Sequence, residues 1–459
     1  MSRQLWDGGW LFHLGDARDA ARKDYDDTGW RAVDLPHDYG IEQPRDPRSP
    51  SGAANGFFPL GVGWYRKRFI LPPEVRDRKV FVEFEGVYMN AETWCNGHFV
   101  GRHPYGYTSF HYDLTPYVAA GEENVLAVRV DSAAEPNSRW YSGSGIYRHV
   151  WLRLTDPVHL AQWGIYVTTP TVTAEKAVVS IRAMVENESG APREAGVRWR
   201  LRGPDGEETG RAEGRAVVAA EGRADLAGEI EVPRPSLWSV ETPNLYTLET
   251  ELLVDGRVAD AAVTRCGIRS ISFDAARGFL LNGRPLKLRG GCVHHDNGPL
   301  GAASYDRAEE RRVELLKANG FNAVRCAHNP PAPAFLDACD RLGLLVIDEA
   351  FDCWRAGKNP YDYHTAFDDW WRRDLESMVR RDWNHPSVIM WSIGNELVER
   401  GEPEGARIAK VLADYVRGLD PTRPVTAAIN GVRDWTALDD LFAALDVCGY
   451  NYELRRYRP

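Results

Sequence analysis

The first third of the chain is a series of short segments in which apolar residues alternate with polar ones or form brief runs. VFVEFEGV (80–87), NVLAVRVD (124–131) and HVWLRL (149–154) each have the length and composition of a β-strand. Glycine, asparagine and aspartate separate these segments, as in Cys95-Asn-Gly-His98. Many short strands at this spacing predict a β-sandwich over residues 1–155.

Residues 156–272 continue the strand pattern but carry no cluster of chemically reactive side chains. KAVVSIRAMVEN (176–187), AGVRWRLRGPDG (195–206) and LYTLETELLVDG (245–256) are typical of immunoglobulin-like strands. We therefore expect a second, immunoglobulin-like sandwich here that acts as a spacer.

From residue 273 onwards apolar strands alternate with amphipathic helices of 3.6-residue period, which indicates βα units and a parallel sheet. The predicted strands are LKLRGGCV (286–293), NAVRCAH (322–328), GLLVIDEA (343–350), VIMWSIGN (388–395), PVTAAIN (424–430) and DVCGYNY (446–452). A closed (β/α)8 TIM barrel needs eight such strands. Residues 273–459 therefore predict an incomplete barrel with about six of its eight strands, in a multidomain chain.

Composition narrows the classes of partner. The 459 residues carry a formal net charge of −10 and no block of lysine and arginine, which argues against nucleic acid as a ligand. The N-terminus has no apolar leader, and no stretch approaches 18 apolar residues, so neither a signal peptide nor a membrane span is expected. The seven cysteines form no CxxC pair, which favours reduced thiols and a cytoplasmic location.

The chemically interesting residues collect where the predicted barrel strands end. In a βα barrel the active site lies at the carboxyl ends of the strands. Those ends, in order, are His294-His-Asp-Asn297, Arg325-Cys-Ala-His-Asn329, Asp348-Glu349 with Asp352, Asn395-Glu396, Asn430 and Tyr450-Asn-Tyr452. The opposite strand ends carry nothing comparable, so the asymmetry predicts an active site.

The segment from Asn384 to Glu396 is the most specific of these signals. An apolar strand delivers Asn395 and then Glu396 into the barrel mouth. An acid beside Trp391 would have its pKa raised and would protonate a leaving-group oxygen near neutral pH. The alternative is a glutamate that merely favours the start of a helix.

Several segments, in this order, resemble glycoside hydrolase family 2, which includes β-galactosidases, β-glucuronidases and β-mannosidases. They are GWYRKRF (63–69), SRWYSGSGIYRHVWL (138–152), LRGGCVHHDNGPLGAA (288–303), NAVRCAHNPPAP (322–333), LLVIDEAFD (344–352) and NHPSVIMWSIGNE (384–396). The resemblance covers essentially the whole chain. It implies a jelly-roll, galactose-binding-like sandwich, an immunoglobulin-like sandwich and a TIM barrel, in that order.

The resemblance also implies roles for individual residues. Glu396 would be the general acid/base, and Asn395 would hold the 2-hydroxyl group of the sugar. It places Arg325, His295 and His328 in the pocket, Asp348 or Glu349 as a support of the sugar or its neighbours, and Tyr452 near the second carboxylate. Trp391 is a further candidate substrate-binding residue because it lies close to the acid along the same strand. For the two histidines the alternative is that each only satisfies backbone groups.

A retaining glycosidase needs a second carboxyl group, the nucleophile, about 5 to 5.5 Å from the acid/base. In the family this residue follows the seventh barrel strand, whereas the sixth predicted strand here ends at Tyr452. We therefore expect the nucleophile to be absent from these 459 residues and the chain alone to be inactive. Glu349, Asp352 and Glu453 are the acids that could substitute, although none matches the family position.

The function expected of the complete protein is hydrolysis of terminal β-D-galactosides with retention. The alternatives are a β-glucuronidase and a non-catalytic carbohydrate-binding relative. No cofactor is expected; His294-His-Asp296 is a poor zinc site because strand neighbours point to opposite faces. A Mg²⁺ or Na⁺ near the pocket, known in relatives, stays open, as does a homo-oligomer. Neither a nucleic acid nor a membrane is expected as a partner.

Overall fold

The computed structural model describes residues 2–432 and 434–453. Two antiparallel β-sandwiches are followed by a parallel sheet whose strands alternate with helices. This order confirms the predicted fold class. Among the described residues, no helix has the length and apolar character that crossing a membrane requires.

The first sandwich packs a four-stranded sheet, in the order β1-β10-β5-β8, against a six-stranded sheet, in the order β3-β2-β4-β9-β6-β7. Its strands are β1 (Ser2–Leu5), β2 (Trp10–Leu14), β3 (Arg31–Val33), β4 (Val62–Ile70), β5 (Lys79–Phe84), β6 (Ala91–Cys95), β7 (His98–His103), β8 (Phe110–Asp113), β9 (Glu123–Asp131) and β10 (Val150–Thr155). Trp10, Tyr65, Phe84 and Val128 belong to the apolar core between the sheets. Burial of these large side chains from both inner faces stabilises the sandwich.

The second sandwich has sheets in the orders β11-β12-β15 and β14-β13-β16-β17. Its strands are β11 (Val158–Val172), β12 (Lys176–Asn187), β13 (Arg193–Arg202), β14 (Glu208–Val218), β15 (Gly222–Pro233), β16 (Tyr246–Val254) and β17 (Arg257–Cys266). Along β12 every second residue is buried, as the alternating sequence predicts. Trp199 fills the centre of the core.

The third region begins with a small antiparallel sheet of β18 (Ile271–Asp274), β19 (Gly278–Leu281) and β20 (Arg284–Pro285). Six parallel strands follow and pair strictly in chain order. They are β21 (Gly290–Val293), β22 (Ala323–Cys326), β23 (Leu345–Glu349), β24 (Val388–Asn395), β25 (Val425–Asn430) and β26 (Val447–Asn451). One helix lies between each pair: α1 (Asp306–Ala318), α2 (Pro333–Leu342), α3 (Phe367–Asp382), α4 (Pro403–Leu419) and α5 (Asp439–Ala443). Strand β24 is buried along its whole length, as expected for the centre of a parallel sheet covered on both faces.

The first sandwich packs directly on the barrel helices, and a buried polar chain crosses the boundary. Thr108 Oγ1 donates to a carboxylate oxygen of Asp374 in α3 over 2.6 Å, and the Tyr363 hydroxyl donates to the other oxygen. His103 Nε2 lies 2.9 Å from Thr108 Oγ1 and 3.4 Å from Asp374. Asp374 is fully buried, and burial raises the pKa of its carboxyl group from 3.8 to about 7. Burial also lowers the pKa of His103, to about 3, so this histidine is neutral.

We expect the stability of this boundary to fall as the pH rises from about 4 to about 7. Because the folded pKa of Asp374 lies above the unfolded value, the folded state binds the extra proton in that window. Relative to Asp374→Asn, the wild-type protein should lose roughly 3 to 6 °C in Tm between pH 5 and pH 8. Calorimetry of both proteins, with the exposed Asp368→Asn as control, measures this. Parallel Tm curves for wild type and Asp374→Asn would contradict it.

Candidate active site

The carboxyl ends of the six parallel strands meet at one rim of the sheet, and Glu396 follows β24 there. Its backbone N–H donates to the Ala428 carbonyl of β25 over 2.7 Å. The pairing of the two strands therefore continues one residue past the end of β24. Glu396 has a φ of 45°, in the left-handed region that residues other than glycine rarely adopt. Such a conformation persists only where the surroundings hold it, and it is common at functional sites.

The Glu396 carboxylate is held by the end of the neighbouring strand. Asn451 Nδ2 donates to Glu396 Oε1 over 2.9 Å, and Tyr452 adds a second side-chain hydrogen bond. Burial alone would raise the pKa of Glu396, but these hydrogen bonds, with the charges of Lys358 and Arg139, lower it below the usual glutamate value. The group is therefore a carboxylate near neutral pH in the structure described.

Asn395 has its side-chain amide fixed on both sides. Its Nδ2 donates to Asp352 Oδ1 over 2.8 Å. Its Oδ1 lies 3.5 Å from the Arg325 guanidinium and 3.3 Å from Asn451 Nδ2. The amide is thus oriented before any ligand arrives, as expected of a preorganised binding group.

Asp352 anchors a group of charged residues beside Asn395. Arg139, from the first sandwich, donates to its two carboxylate oxygens over 2.7 and 3.0 Å, and Lys358 Nζ lies 2.8 Å away. Burial raises the pKa of Asp352, but the Arg139 hydrogen bonds and the Lys358 charge outweigh it and lower the pKa to about 2. The pair with Arg139 also joins the first sandwich to the barrel mouth.

Glu349 organises a second group on the same rim. It lies 2.7 Å from His328 Nδ1, accepts from Ser392 Oγ over 2.7 Å and pairs with Arg325 over 3.5 Å. Burial disfavours the charge of Arg325, but the Glu349 carboxylate overcomes this and raises the pKa of the guanidinium. The structure therefore brings Arg325, His328, Glu349, Asn395 and Glu396 together at one rim.

Models of glycosyl hydrolases family 2 match almost the whole chain. The sugar binding domain matches residues 4–157, the family 2 domain matches 158–269, and the TIM barrel domain matches 275–454. The chain belongs to glycosyl hydrolases family 2.

Among curated family members, the chain is 44% identical to beta-galactosidase BoGH2A of Bacteroides ovatus, over 98% of the chain and 56% of that protein. It is 37% identical to a putative beta-glucuronidase of Formosa agariphila, over 93% of the chain and 40% of that protein. A crystal structure of a family 2 member from Bacteroides cellulosilyticus superposes with a TM-score of 0.97 and 47% identity, over all of the chain and 60% of that structure. The chain thus spans about half the length of the curated relatives it matches.

Two adjacent histidines of this family 2 chain lie on opposite sides of the rim. The prediction placed His295 at the pocket, but its side chain is buried between Tyr107 and Tyr147, 3.1 Å from the Ser142 carbonyl. Burial lowers the pKa of His295 to about 3. His294 instead lies beside Trp140 and His328 at the mouth. Successive residues of an extended segment point in opposite directions, and here the second histidine points into the boundary with the sandwich.

Two further predicted site residues also lie elsewhere. Asp348 is fully buried beside Asp382 of α3, because it alternates with Glu349 along β23 and so faces the helix layer. Burial and the Asp382 charge raise the pKa of Asp348 well above its usual value. Trp391 is also fully buried, and its indole N–H donates to Asp420, which follows α4 at the opposite end of the strands. Trp391 therefore does not raise the pKa of the acid, contrary to the sequence-based expectation.

Tyr452 does lie at the mouth, with 83% of its surface exposed and its side chain beside Glu396. Sequence reasoning listed Asn451 among the residues at the strand ends but assigned it no role, and it missed Lys358. Asn451 precedes Tyr452 at the end of β26, so its position at a strand end was the signal for a role. Lys358 lies in a loop without periodicity, and nothing in the sequence pattern distinguishes it.

Proposed function

We propose that the protein hydrolyses terminal β-D-galactosides with retention of configuration and that Glu396 is its general acid/base. The observation that carries the proposal is the position of the Glu396 carboxylate. It lies past the end of a central strand, beside an oriented Asn395 amide and within a cluster of charged residues at the rim. Similarity to a beta-galactosidase over 98% of the chain supports the sugar.

In this mechanism Glu396 protonates the glycosidic oxygen while a second carboxylate attacks the anomeric carbon. Glu396 then removes a proton from the water that hydrolyses the glycosyl-enzyme, because the same group acts in both steps. A second carboxylate about 5 Å away would also raise the pKa of Glu396, by like-charge repulsion, into the range that an acid catalyst needs.

The nucleophile proposed here lies outside the described residues. Glu349 is engaged by His328, Ser392 and Arg325, so its oxygens are not free to form a bond to the sugar. Asp352 is engaged in the same way by Arg139 and other donors. We propose that the nucleophile comes from residues that the longer relatives have and that this chain does not cover.

Among the residues that the structure describes, the charge balance at the mouth favours a neutral sugar over a uronic acid. Arg325 pairs with Glu349, while Arg139 and Lys358 both pair with Asp352. A glucuronide carboxylate would be best stabilised by a cation without such a partner. The second candidate is still a β-glucuronidase, because a relative that carries that name is 37% identical.

One aromatic side chain beside this mouth suits a carbohydrate ligand. Trp140, which is only partly buried, lies beside His294 and His328 at the rim. The tyrosines behind it, Tyr88 and Tyr107, are buried in the boundary between the sandwich and the barrel and support it. An exposed aromatic face packs against the apolar face of a sugar ring.

Two of the carboxylates at the rim, those of Glu349 and Asp352, do not fit a Mg²⁺ site. Mg²⁺ would need oxygen ligands in near-octahedral geometry, and Glu349 and Asp352 already pair with protein cations. A divalent ion at either acid would have to displace an arginine or lysine.

Hydrolysis of aryl β-D-galactoside, β-D-glucuronide and β-D-mannoside by the purified protein tests the proposal. We expect the galactoside to give the highest kcat/KM, and ¹H NMR to show β-galactose as the first product, because two displacements retain configuration. A preference for the glucuronide would favour the second candidate, and α-galactose as first product would refute retention.

If the folded chain binds galactose without turnover, supplying the C-terminal barrel segment of BoGH2A separates the remaining explanations. Turnover that then appears would assign the nucleophile to that segment. Persistent binding without turnover would favour a non-catalytic carbohydrate-binding protein.

A further inference from the structure

Lys358 lies in the loop between β23 and α3 and reaches the peptide that precedes Glu396. Its ammonium group donates to the Asn395 backbone carbonyl over 2.8 Å and to Asp352 Oδ1 over 2.8 Å. Only 10% of the Lys358 side chain is exposed. A lysine at such a site loses side-chain entropy and some hydration, so its contacts must offset both costs.

The loop that carries Lys358 is itself fixed. The Asp362 carboxylate accepts from the backbone N–H groups of Lys358 and Asn359, over 2.8 and 2.7 Å. Further back, the Ala356 N–H donates to Glu399 Oε1 over 3.1 Å. Because backbone hydrogen bonds hold the loop on both sides of Lys358, the ammonium group is presented from a rigid support.

The Asn395–Glu396 peptide is hydrogen-bonded at both of its polar atoms. Its N–H, which belongs to Glu396, donates to the Ala428 carbonyl, and its C=O, which belongs to Asn395, accepts from Lys358. This peptide leads into the left-handed φ of Glu396, a conformation that is unfavourable for a non-glycine residue and persists only where contacts hold it. The two hydrogen bonds hold the backbone on the N-terminal side of Glu396.

We propose that Lys358 is a positioning residue that fixes the Asn395–Glu396 peptide and brings its ammonium group close to the Glu396 carboxylate. This inference rests on the proposed role of Glu396 as acid/base. Through the peptide, Lys358 sets the direction in which the carboxyl group points. Through its charge, Lys358 stabilises the Glu396 carboxylate against repulsion by the second carboxylate of the proposed mechanism.

The effect of Lys358 is separable from that of the other groups that face Glu396. Asn451 and Tyr452 contact the carboxylate from the end of β26, and Arg139 and Arg325 contribute charge from the sandwich loop and from β22. None of these four groups is bonded to the Asn395 carbonyl by the contacts described above. Substitution of Lys358 therefore removes the peptide contact and one charge while the other groups stay.

Carbodiimide labelling of Glu396 tests the charge without requiring turnover. Carbodiimides couple amines to protonated carboxyl groups, and mass spectrometry of the tryptic peptide Asp382–Arg400 locates the label. Lys358→Met should move the pH midpoint of Glu396 labelling to higher pH, because a nearby positive charge favours the ionised form. Lys358→Arg, which keeps a positive charge, should return the labelling midpoint most of the way to its wild-type value. Lys410→Met, which removes an exposed helix lysine, should leave the midpoint at its wild-type value.

Hydrolysis by the active protein tests the positioning. Lys358→Met should slow phenyl β-galactoside by about 10- to 100-fold but 2,4-dinitrophenyl β-galactoside far less, since only the poor leaving group needs a well-placed acid. A folded Lys358→Met with an unchanged labelling midpoint, or with equal losses on both substrates, overturns the proposal. If this variant does not fold, Lys358→Gln, which keeps a donor but no charge, gives the same comparison. If labelling shifts but no turnover appears even after the C-terminal barrel segment of BoGH2A is supplied, the proposed function is refuted while the contact with Lys358 stays supported.

Discussion

Replacing Glu396 with glutamine is expected to lower kcat/KM for phenyl β-galactoside by about 10²- to 10⁴-fold. Glutamine has nearly the same volume and keeps an oxygen to accept from Asn451, so the strand end should stay in place. It has no proton to give to the leaving oxygen and cannot act as a base toward water. The loss of kcat/KM therefore measures acid/base catalysis. It is determined by steady-state kinetics on whichever form of the protein turns over the substrate.

Two comparisons give this result its meaning. Glu402→Gln changes an exposed glutamate at the start of α4 and should leave kcat/KM within about twofold of wild type. On 2,4-dinitrophenyl β-galactoside the first step needs little acid assistance, so Glu396→Gln should be impaired much less in that step. Full activity of Glu396→Gln on the phenyl substrate would show that another group is the acid.

Which residues reach the rim was predictable because a parallel sheet translates chain order directly into spatial order. Each of the six strands pairs with the next one in sequence, so the carboxyl ends of all six lie at one edge. That rule needs only local patterns, and it brings Arg325, Glu349 and Glu396 to one rim. No long-range contact had to be known.

The direction of each side chain was harder to predict, because it depends on a single residue of register. In Asp348-Glu349 and His294-His295 one member faces the mouth and the other faces the helix layer or the sandwich. Strands buried on both faces lack the alternation of apolar and polar residues that would decide between them. The sequence therefore predicts that one residue of each pair lies in the site, but it does not identify which one.

Contacts made by irregular segments do not follow from periodicity. Lys358 comes from a loop and Arg139 comes from another domain. Only the family resemblance suggested that Arg139 could reach the mouth, and nothing in the sequence pointed to Lys358. Trp391 was assigned to the mouth from its closeness to Glu396 in sequence. A strand of eight residues is long enough to place its first half at the opposite end of the barrel.

That opposite end is stabilised by a buried carboxylate, Asp420, which joins the second sandwich to the barrel. It accepts from the Tyr166 hydroxyl over 2.8 Å, from the Trp391 indole over 2.9 Å and from Arg423 over 2.7 Å. Asp420 is fully buried, and the Arg423 charge and these donors overcome burial and lower its pKa to about 2. Every strong contact of the group depends on its negative charge or its acceptor oxygens.

We expect Asp420→Ala to lower the free energy of unfolding by about 3 to 5 kcal/mol, because it leaves the buried Arg423 guanidinium and the donors of Tyr166, Trp391 and Thr422 without their acceptor. Urea unfolding followed by tryptophan fluorescence measures the loss. Asp414→Ala, which breaks only two exposed ion pairs of α4, should cost less than about 1 kcal/mol. The folded pKa of Asp420 lies below the unfolded value, so its contribution is complete above pH 4 and is lost as the pH falls toward 2. The difference between wild type and Asp420→Ala should therefore narrow over that interval. Equal losses for Asp420→Ala and Asp414→Ala would show that the buried carboxylate contributes no more than a surface pair.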